Sequence, residues 1–313
     1  MSTNKPELLI AAGSAEQMLA YAKAGADALL VGESRYGLRL PGEVTAAELR
    51  RVIPEAHRLG AKVYIAMNHI MDNATAETLP DYVSEVADAG ADAVVFGDPA
   101  VLVAVKTKAP QLALHWNAEM TSTNWATAAY WGRKGATRLV AARELNMEEL
   151  IEIAAKLKGA MDVEVQVHGM TNIYHSKRRL LENYTAHRGK PIEGVSYSPE
   201  RGLYLIEQER PGERFPIYED DSGTHVMSSD DICMLENLPE LIDGGIASFK
   251  IESILKNEAY NTAVLQSYRA AIDAYTADPS GFTFDQTWLD RIQELQPAGR
   301  ELSYGFFYKE QVY

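Results

Sequence analysis

Four times along this chain a helix-like stretch ends in glycine and runs straight into an apolar strand, and this repeat limits the fold more than any other feature. It reads Ala24-Gly-Ala-Asp-Ala-Leu-Leu-Val-Gly32 and Ala89-Gly-Ala-Asp-Ala-Val-Val-Phe-Gly97, with weaker copies at Lys134-Gly-Ala-Thr-Arg-Leu-Val-Ala141 and Gly244-Gly-Ile-Ala-Ser-Phe-Lys-Ile251. Glycine after a helix supplies the left-handed cap, and a short return lays the next strand parallel to the last. Further strands fit between these at Glu7–Ala11, Lys62–Met67, Ala113–Asn117 and Val163–Val167. Helices are expected at Ala15–Ala24, Thr45–Leu59, Pro80–Ala89, Asn124–Gly135 and Asn146–Leu157, with a longer one near Tyr260–Tyr275. Alternating βα units of this number predict one α/β domain over residues 1–313, a closed (βα)8 TIM-like barrel.

The rhythm breaks once. A long insertion, about 169–245, separates the seventh and eighth strands, and insertions at the C-terminal rim of a barrel usually carry function. Helices are expected again over about 256–313, with no second domain. No G-x-G-x-x-G or Walker motif follows any strand, which weakens nucleotide-cofactor readings. No run reaches the ~18 apolar residues of a membrane helix, and no signal-peptide pattern precedes the first strand. A single cysteine, Cys233, rules out an internal disulfide and a cysteine metal cluster. These features point to the cytoplasm. The net charge of −14 repels nucleic acid as a whole, so any RNA contact must be local.

Strand alternation then selects candidate site residues. In the seventh strand the valines at 163, 165 and 167 are expected to meet the helices, which aims Glu164, Gln166 and His168 at the axis. The fifth strand aims His115 and Asn117 inward with Glu119 just beyond, and the eighth aims Ser248, Lys250 and Glu252 inward. Asn68 ends the third strand and Arg143 follows the sixth. A barrel axis is normally filled with branched apolar side chains, so polar strand faces suggest a site. His115 and Glu119 lie about 13 Å apart along an extended strand, too far to share an ion, and no metal site is expected. Lys250 as a Schiff-base lysine is opposed by Glu252 on the same face, which favours an ion pair. Cys233, at helical spacing among apolar residues, reads as a buried inert thiol. One stretch opposes the global charge: Lys177, Arg178, Arg179, Arg188 and Lys190, flanked by Tyr174, Tyr184, His175 and His187, suit a phosphate backbone or another anion.

These residues bring a known family into view. Ala12-Gly-Ser14, Gly37-Leu-Arg39, Gly97-Asp98, Ala142-Arg-Glu144, Val167-His-Gly169 and Ser248-Phe-Lys-Ile-Glu252 match, in order, motifs of the collagenase-like U32 peptidase family. The resemblance runs from about Glu7 to Gly305-Phe-Phe307 and is most specific around Glu164-Val-Gln-Val-His-Gly169. It implies either a peptidase or a protein of RNA hydroxylation, and it is nearest to the short member of a pair linked to 5-hydroxylation of the tRNA wobble uridine. Many relatives hold an iron–sulfur cluster on four cysteines. Here Asn172 or Arg179 and a cysteine-free run stand at those positions and only Cys233 remains, so no cluster is expected. The departures imply a subunit that works with a longer U32 paralogue, or as a homodimer, on tRNA. On this reading His168, Glu164, Lys250 and Glu252 carry the chemistry. Arg39, Asn68, Asn117, Glu119 and Arg143 bind a small organic acid such as prephenate, Arg143 and Lys250 pairing its carboxylates, and His168 or Glu164 moves protons. A collagenase-like peptidase and a non-catalytic scaffold partner are the alternatives; no nucleophile elbow or H-E-x-x-H supports the first.

Overall fold

The computed structural model describes residues 5–118, 123–189 and 197–310. Seven parallel strands follow one another: β1 (Glu7–Ala11), β2 (Ala28–Val31), β3 (Lys62–Met67), β4 (Ala93–Phe96), β5 (Ala113–Asn117), β6 (Arg138–Val140) and β7 (Asp162–Ser176). The eighth barrel strand is β11 (Ser248–Ile251), which pairs in parallel with both β7 and β1 and closes the ring. The expected barrel is therefore present, and its order follows from the repeat. Gly25, Gly90, Gly135 and Gly245 hold positive φ at the helix ends. The aspartate of the repeat ties neighbouring strands together: Asp27 Oδ2 accepts from the Leu8 amide and Asp92 Oδ2 from the Val63 amide.

Helices α1 (Ala15–Lys23), α2 (Ala46–Arg58), α3 (Asn73–Asp88), α4 (Pro99–Lys108), α5 (Trp125–Arg133) and α6 (Met147–Leu157) surround the barrel. Each begins behind a Ser, Thr, Asp or Asn whose side chain accepts a first-turn amide, as Thr45 and Asn146 do in full capping boxes. α3 starts seven residues before the expected Pro80, because Asp72 caps it upstream and the proline is carried inside the helix. Val163, Val165, Leu114, Trp116, Phe249 and Ile251 face this helical layer, as alternation predicts.

The insertion is built around an antiparallel ribbon. β7 runs on past the barrel for a total of 15 residues and pairs antiparallel with β10 (Gly223–Cys233), which pairs with β9 (Phe215–Asp220) and through it β8 (Tyr204–Leu205). This ribbon carries the short helix α7 (Leu180–His187). After α8 (Leu238–Asp243) and β11 come α9 (Glu258–Ala277), α10 (Gln286–Leu295) and β12 (Leu302–Ser303), which pairs with β10. Cys233 thus ends a strand, not a helix: the sequence around it is apolar because β10 is clamped between β7 and the C-terminal segment. Among the described residues no helix is long and apolar enough to cross a membrane.

Candidate functional site

The polar residues expected on the barrel axis separate into a floor, a mouth and an outer pocket. The floor lies at the N-terminal ends of the strands. Arg138 Nη1 donates to Glu7 Oε1 at 2.6 Å and to Glu164 Oε2 at 3.3 Å, Tyr64 donates to Glu7 Oε2 at 2.6 Å, and Ser248 Oγ donates to Glu7 Oε1. The Tyr64 ring also meets Arg138 and the edge of His115. Glu164 therefore points inward as expected, but at the end of the barrel opposite the one where TIM-barrel chemistry resides. Burial pushes its carboxyl up despite Arg138, whereas Glu7 is held below the usual carboxylate range against its burial, chiefly by the guanidinium. Burial, and then Arg138, keeps His115 neutral. Above the floor, Leu9, Leu30, Val95 and Val140 fill the axis.

His168 corrects the sequence reading outright. It does not face the axis; it lies wholly buried beneath α9, with Tyr260 Oη 2.9 Å from Nε2 and Tyr268 Oη 3.3 Å from Nδ1. Tyr268 donates to the Val167 carbonyl and accepts from the Met234 amide, so its oxygen receives the Nδ1 proton and the Tyr260 hydroxyl donates to Nε2. Burial lowers the imidazole to about 3 and it stays neutral. The cause is a bulge: Lys250 lies opposite Gln166 but Ile251 lies opposite His168, so the extra residue returns His168 to the outer face. Gly169 follows at φ 97°, where an added Cβ would stand 2.2 Å from the Glu252 carbonyl oxygen. Gly169→Ala should therefore lower stability by more than about 1 kcal/mol, checked by the urea midpoint.

Four other expected residues gather at the mouth with Tyr218 of β9. Lys250 Nζ and Glu252 Oε2 form an ion pair at 3.2 Å, the alternative that Glu252 favoured over a reactive amine. Asn68 Oδ1 accepts from the Leu38 amide and so pins the loop carrying Arg39, whose own backbone is left-handed at φ 57°. Burial, and then the charge of Asp220, pushes the Tyr218 phenol up; Arg39 opposes this and Glu252 adds to it. Tyr218 stacks on His225, which stacks on His175, with centroids 4.8 and 4.6 Å apart. This column, supplied by the ribbon, was not foreseen; its residues come from three strands with no motif to join them. Asn117 is buried at the end of β5, and Arg143 Nε lies 3.9 Å from Glu144 Oε1. Glu119 and Lys190 lie outside the described residues.

The basic residues of the ribbon are exposed. Lys177 Nζ donates to the Ile70 carbonyl beyond β3, which ties the ribbon to the rim, and Arg179 meets Asp221 at 3.4 Å. Arg178 and Arg188 are exposed near Tyr174 and Tyr184, which are 50% and 60% accessible. Among the described residues no three His, Cys, Asp or Glu side chains are placed to hold a metal. The lone thiol does not fit a four-thiolate cluster: Cys233 is buried, burial raises its pKa, and its near neighbour is the Tyr268 hydroxyl.

The peptidase family U32 model matches residues 13–312. The chain belongs to this family. It is 46% identical over 99% of both chains to tRNA hydroxylation protein P2 of Bacillus subtilis (strain 168). It is 31% identical to tRNA hydroxylation protein P1 of the same strain, covering 99% of this chain and 74% of that one. Against tRNA hydroxylation protein P of Escherichia coli (strain K12) the identity is 31%, over 94% of this chain and 73% of that one. This U32 chain thus matches a relative of its own length from end to end, and longer relatives over about three-quarters of theirs.

Proposed function

We propose that this U32 protein takes part in 5-hydroxylation of the wobble uridine of tRNA in the cytoplasm, working with a longer U32 paralogue and with a small organic acid such as prephenate. The observation that carries the reading is the end-to-end 46% identity to a tRNA hydroxylation protein. The occurrence of P1 and P2 in one organism supports a long and short pair. The ribbon suits the RNA: Lys177, Arg178, Arg179 and Arg188 oppose a global charge of −14 and stand among exposed tyrosines. A supporting role within the pair gains from the geometry, since Glu164 is in the floor and His168 is under α9. A peptidase gains nothing, because Cys233 is buried with a raised pKa and, among the described residues, the His168 ring bonds to tyrosine hydroxyls.

Mass spectrometry of tRNA nucleosides from a strain lacking this gene tests the reading. The 5-hydroxyuridine derivatives should disappear and return with the wild-type gene; unchanged levels would sink it. Replacing Lys177, Arg178, Arg179 and Arg188 together by alanine should weaken tRNA binding. It should also flatten the salt dependence by roughly 0.7–0.9 in log–log slope for each phosphate no longer neutralised. Binding of unchanged strength and slope would remove the ribbon from the interface.

A further inference from the structure

Away from the mouth and the ribbon, one sector of the surface runs against the global charge of −14. Lys106 and Lys108 lie in the last turn of α4, Arg133 and Lys134 end α5, and Lys156 and Lys158 end α6. These helices follow β4, β5 and β6, which are neighbours in the barrel, so their C-terminal turns stand side by side at the floor end. Lys106 reaches the turn after α5, where a Cβ added to Gly135 would stand 3.3 Å from its Cε. All six cations are exposed, and among the described residues none forms an ion pair. The carboxylates nearest in sequence on this end are Glu152 and Asp162, and an acidic surface resumes at Glu85 and Asp88 of α3.

Two exposed rings share the sector. Trp125 and Tyr130 of α5 are 43% and 47% accessible, since the residue that α5 buries is Ala128. Lys156 Nζ stands 5.7 Å from the centroid of Trp125, and Lys134 Nζ stands 5.5 Å from that of Tyr130. Attraction to the negative face of a ring holds each ammonium in one direction, where a free lysine would sweep through solvent. Five of the six cations are lysines. Lysine is depleted from protein–protein interfaces, whereas its compact ammonium suits phosphate oxygens. The sector therefore fits a polyanionic backbone better than a protein face.

The ribbon lies at the far end of the same side. α6 packs on β7, which begins at Asp162 shortly after Lys158 and ends at Ser176, next to Lys177, Arg178 and Arg179. Its 15 residues span at most about 50 Å when extended. We infer that the floor ends of α4, α5 and α6 bind the phosphate backbone of a tRNA arm remote from the base that is modified. The inference rests on the tRNA reading proposed above and adds a second contact at the opposite end of β7 from the ribbon. A ligand that touches both must reach along that strand, as a whole folded tRNA does and an isolated anticodon stem–loop does not.

Filter binding of the full chain to an unmodified tRNA transcript with a wobble uridine, and to its isolated anticodon stem–loop, tests the inference. Lys106→Gln, Lys134→Gln and Lys156→Gln combined should lower the log–log salt slope for the transcript by roughly 2–3 and its affinity about a hundredfold near physiological salt. Stem–loop binding should stay within about twofold, since the ribbon is untouched. Trp125→Ala, which frees Lys156, should weaken the transcript about threefold. Arginine at the same three positions should bind both probes as wild type does. Every position is exposed, so the urea midpoint should not move. Three outcomes overturn the inference: no transcript binding by the wild-type chain, equal losses for transcript and stem–loop, or an unchanged transcript affinity. In the last case, loss of the longer paralogue from the combined variant would mark the sector as a protein interface. The tRNA reading fails separately, as unchanged nucleosides in the strain lacking the gene. The inference fails alone when those nucleosides vanish and the combined variant still binds the transcript as wild type does.

Discussion

Replacing Arg138 by methionine will cost the fold about 3–5 kcal/mol at neutral pH, the penalty for breaking a buried ion cluster by removing one partner. The guanidinium answers two carboxylates, Glu7 and Glu164, that strands far apart in sequence bring to the barrel floor. Methionine matches its stem and leaves Glu164 without its hydrogen-bonded cation and Glu7 with only Lys62, 3.9 Å away. Their pKa values must then rise. A carboxyl with a folded-state pKa above its unfolded value favours the fold while protonated and loses that contribution as pH climbs through the raised value. The deficit should therefore be greatest at neutral and alkaline pH and shrink toward about pH 5. Urea midpoints for both proteins across that range are the measurement. An equal deficit at every pH would mean that the methionine fails by packing, and that the cluster holds no net charge worth neutralising.

His168→Ala should destabilise by about 2–4 kcal/mol, from a cavity under α9 and the Tyr260 hydroxyl left unanswered. It should also change the acid limb of the stability curve. A base held at about 3 is depressed below its ordinary 6.5, so its contribution is complete above pH 6.5 and is lost as pH falls below it. Wild type should lose up to about 1.4 kcal/mol per pH unit there from this group alone, and the variant should lack that slope. At a temperature where the variant is folded, it should restore tRNA hydroxylation in proportion to its abundance. A variant as stable as wild type that restores nothing would put His168 back in the chemistry.

The two residues show where sequence reading stops. The barrel was legible because Ala-Gly-Ala-Asp states a helix end, a turn and a strand start in four letters, and its aspartate bonds the neighbouring strand. Alternation of period two placed Glu164 on the axis correctly, but it reports a face and not a depth, so floor and mouth looked alike. For His168 even the face was lost, since one extra residue between the partners of Lys250 and Ile251 inverts the alternation. The only local mark was Gly169, and nothing in a single sequence says that its φ is positive. The exposed cations of the ribbon were legible as composition. Those of α4, α5 and α6 were not, because pairs scattered along three helices become one patch only when the closed fold sets the helix ends side by side.

Closure of the ring by β11 also has a consequence for synthesis. Ser248 meets Glu7 across 241 residues, so on a translating ribosome the edges of β1 and β7 stand open until nearly four-fifths of the chain exists. At ~5–20 residues per second that delay is on the order of ten seconds or more. Throughout it the nascent chain displays two unpaired apolar strand edges and a floor in which Glu7 lacks its Ser248 partner. This protein should therefore draw on trigger-type chaperones during translation far more than a helical bundle of the same length, whose contacts are complete as each hairpin emerges.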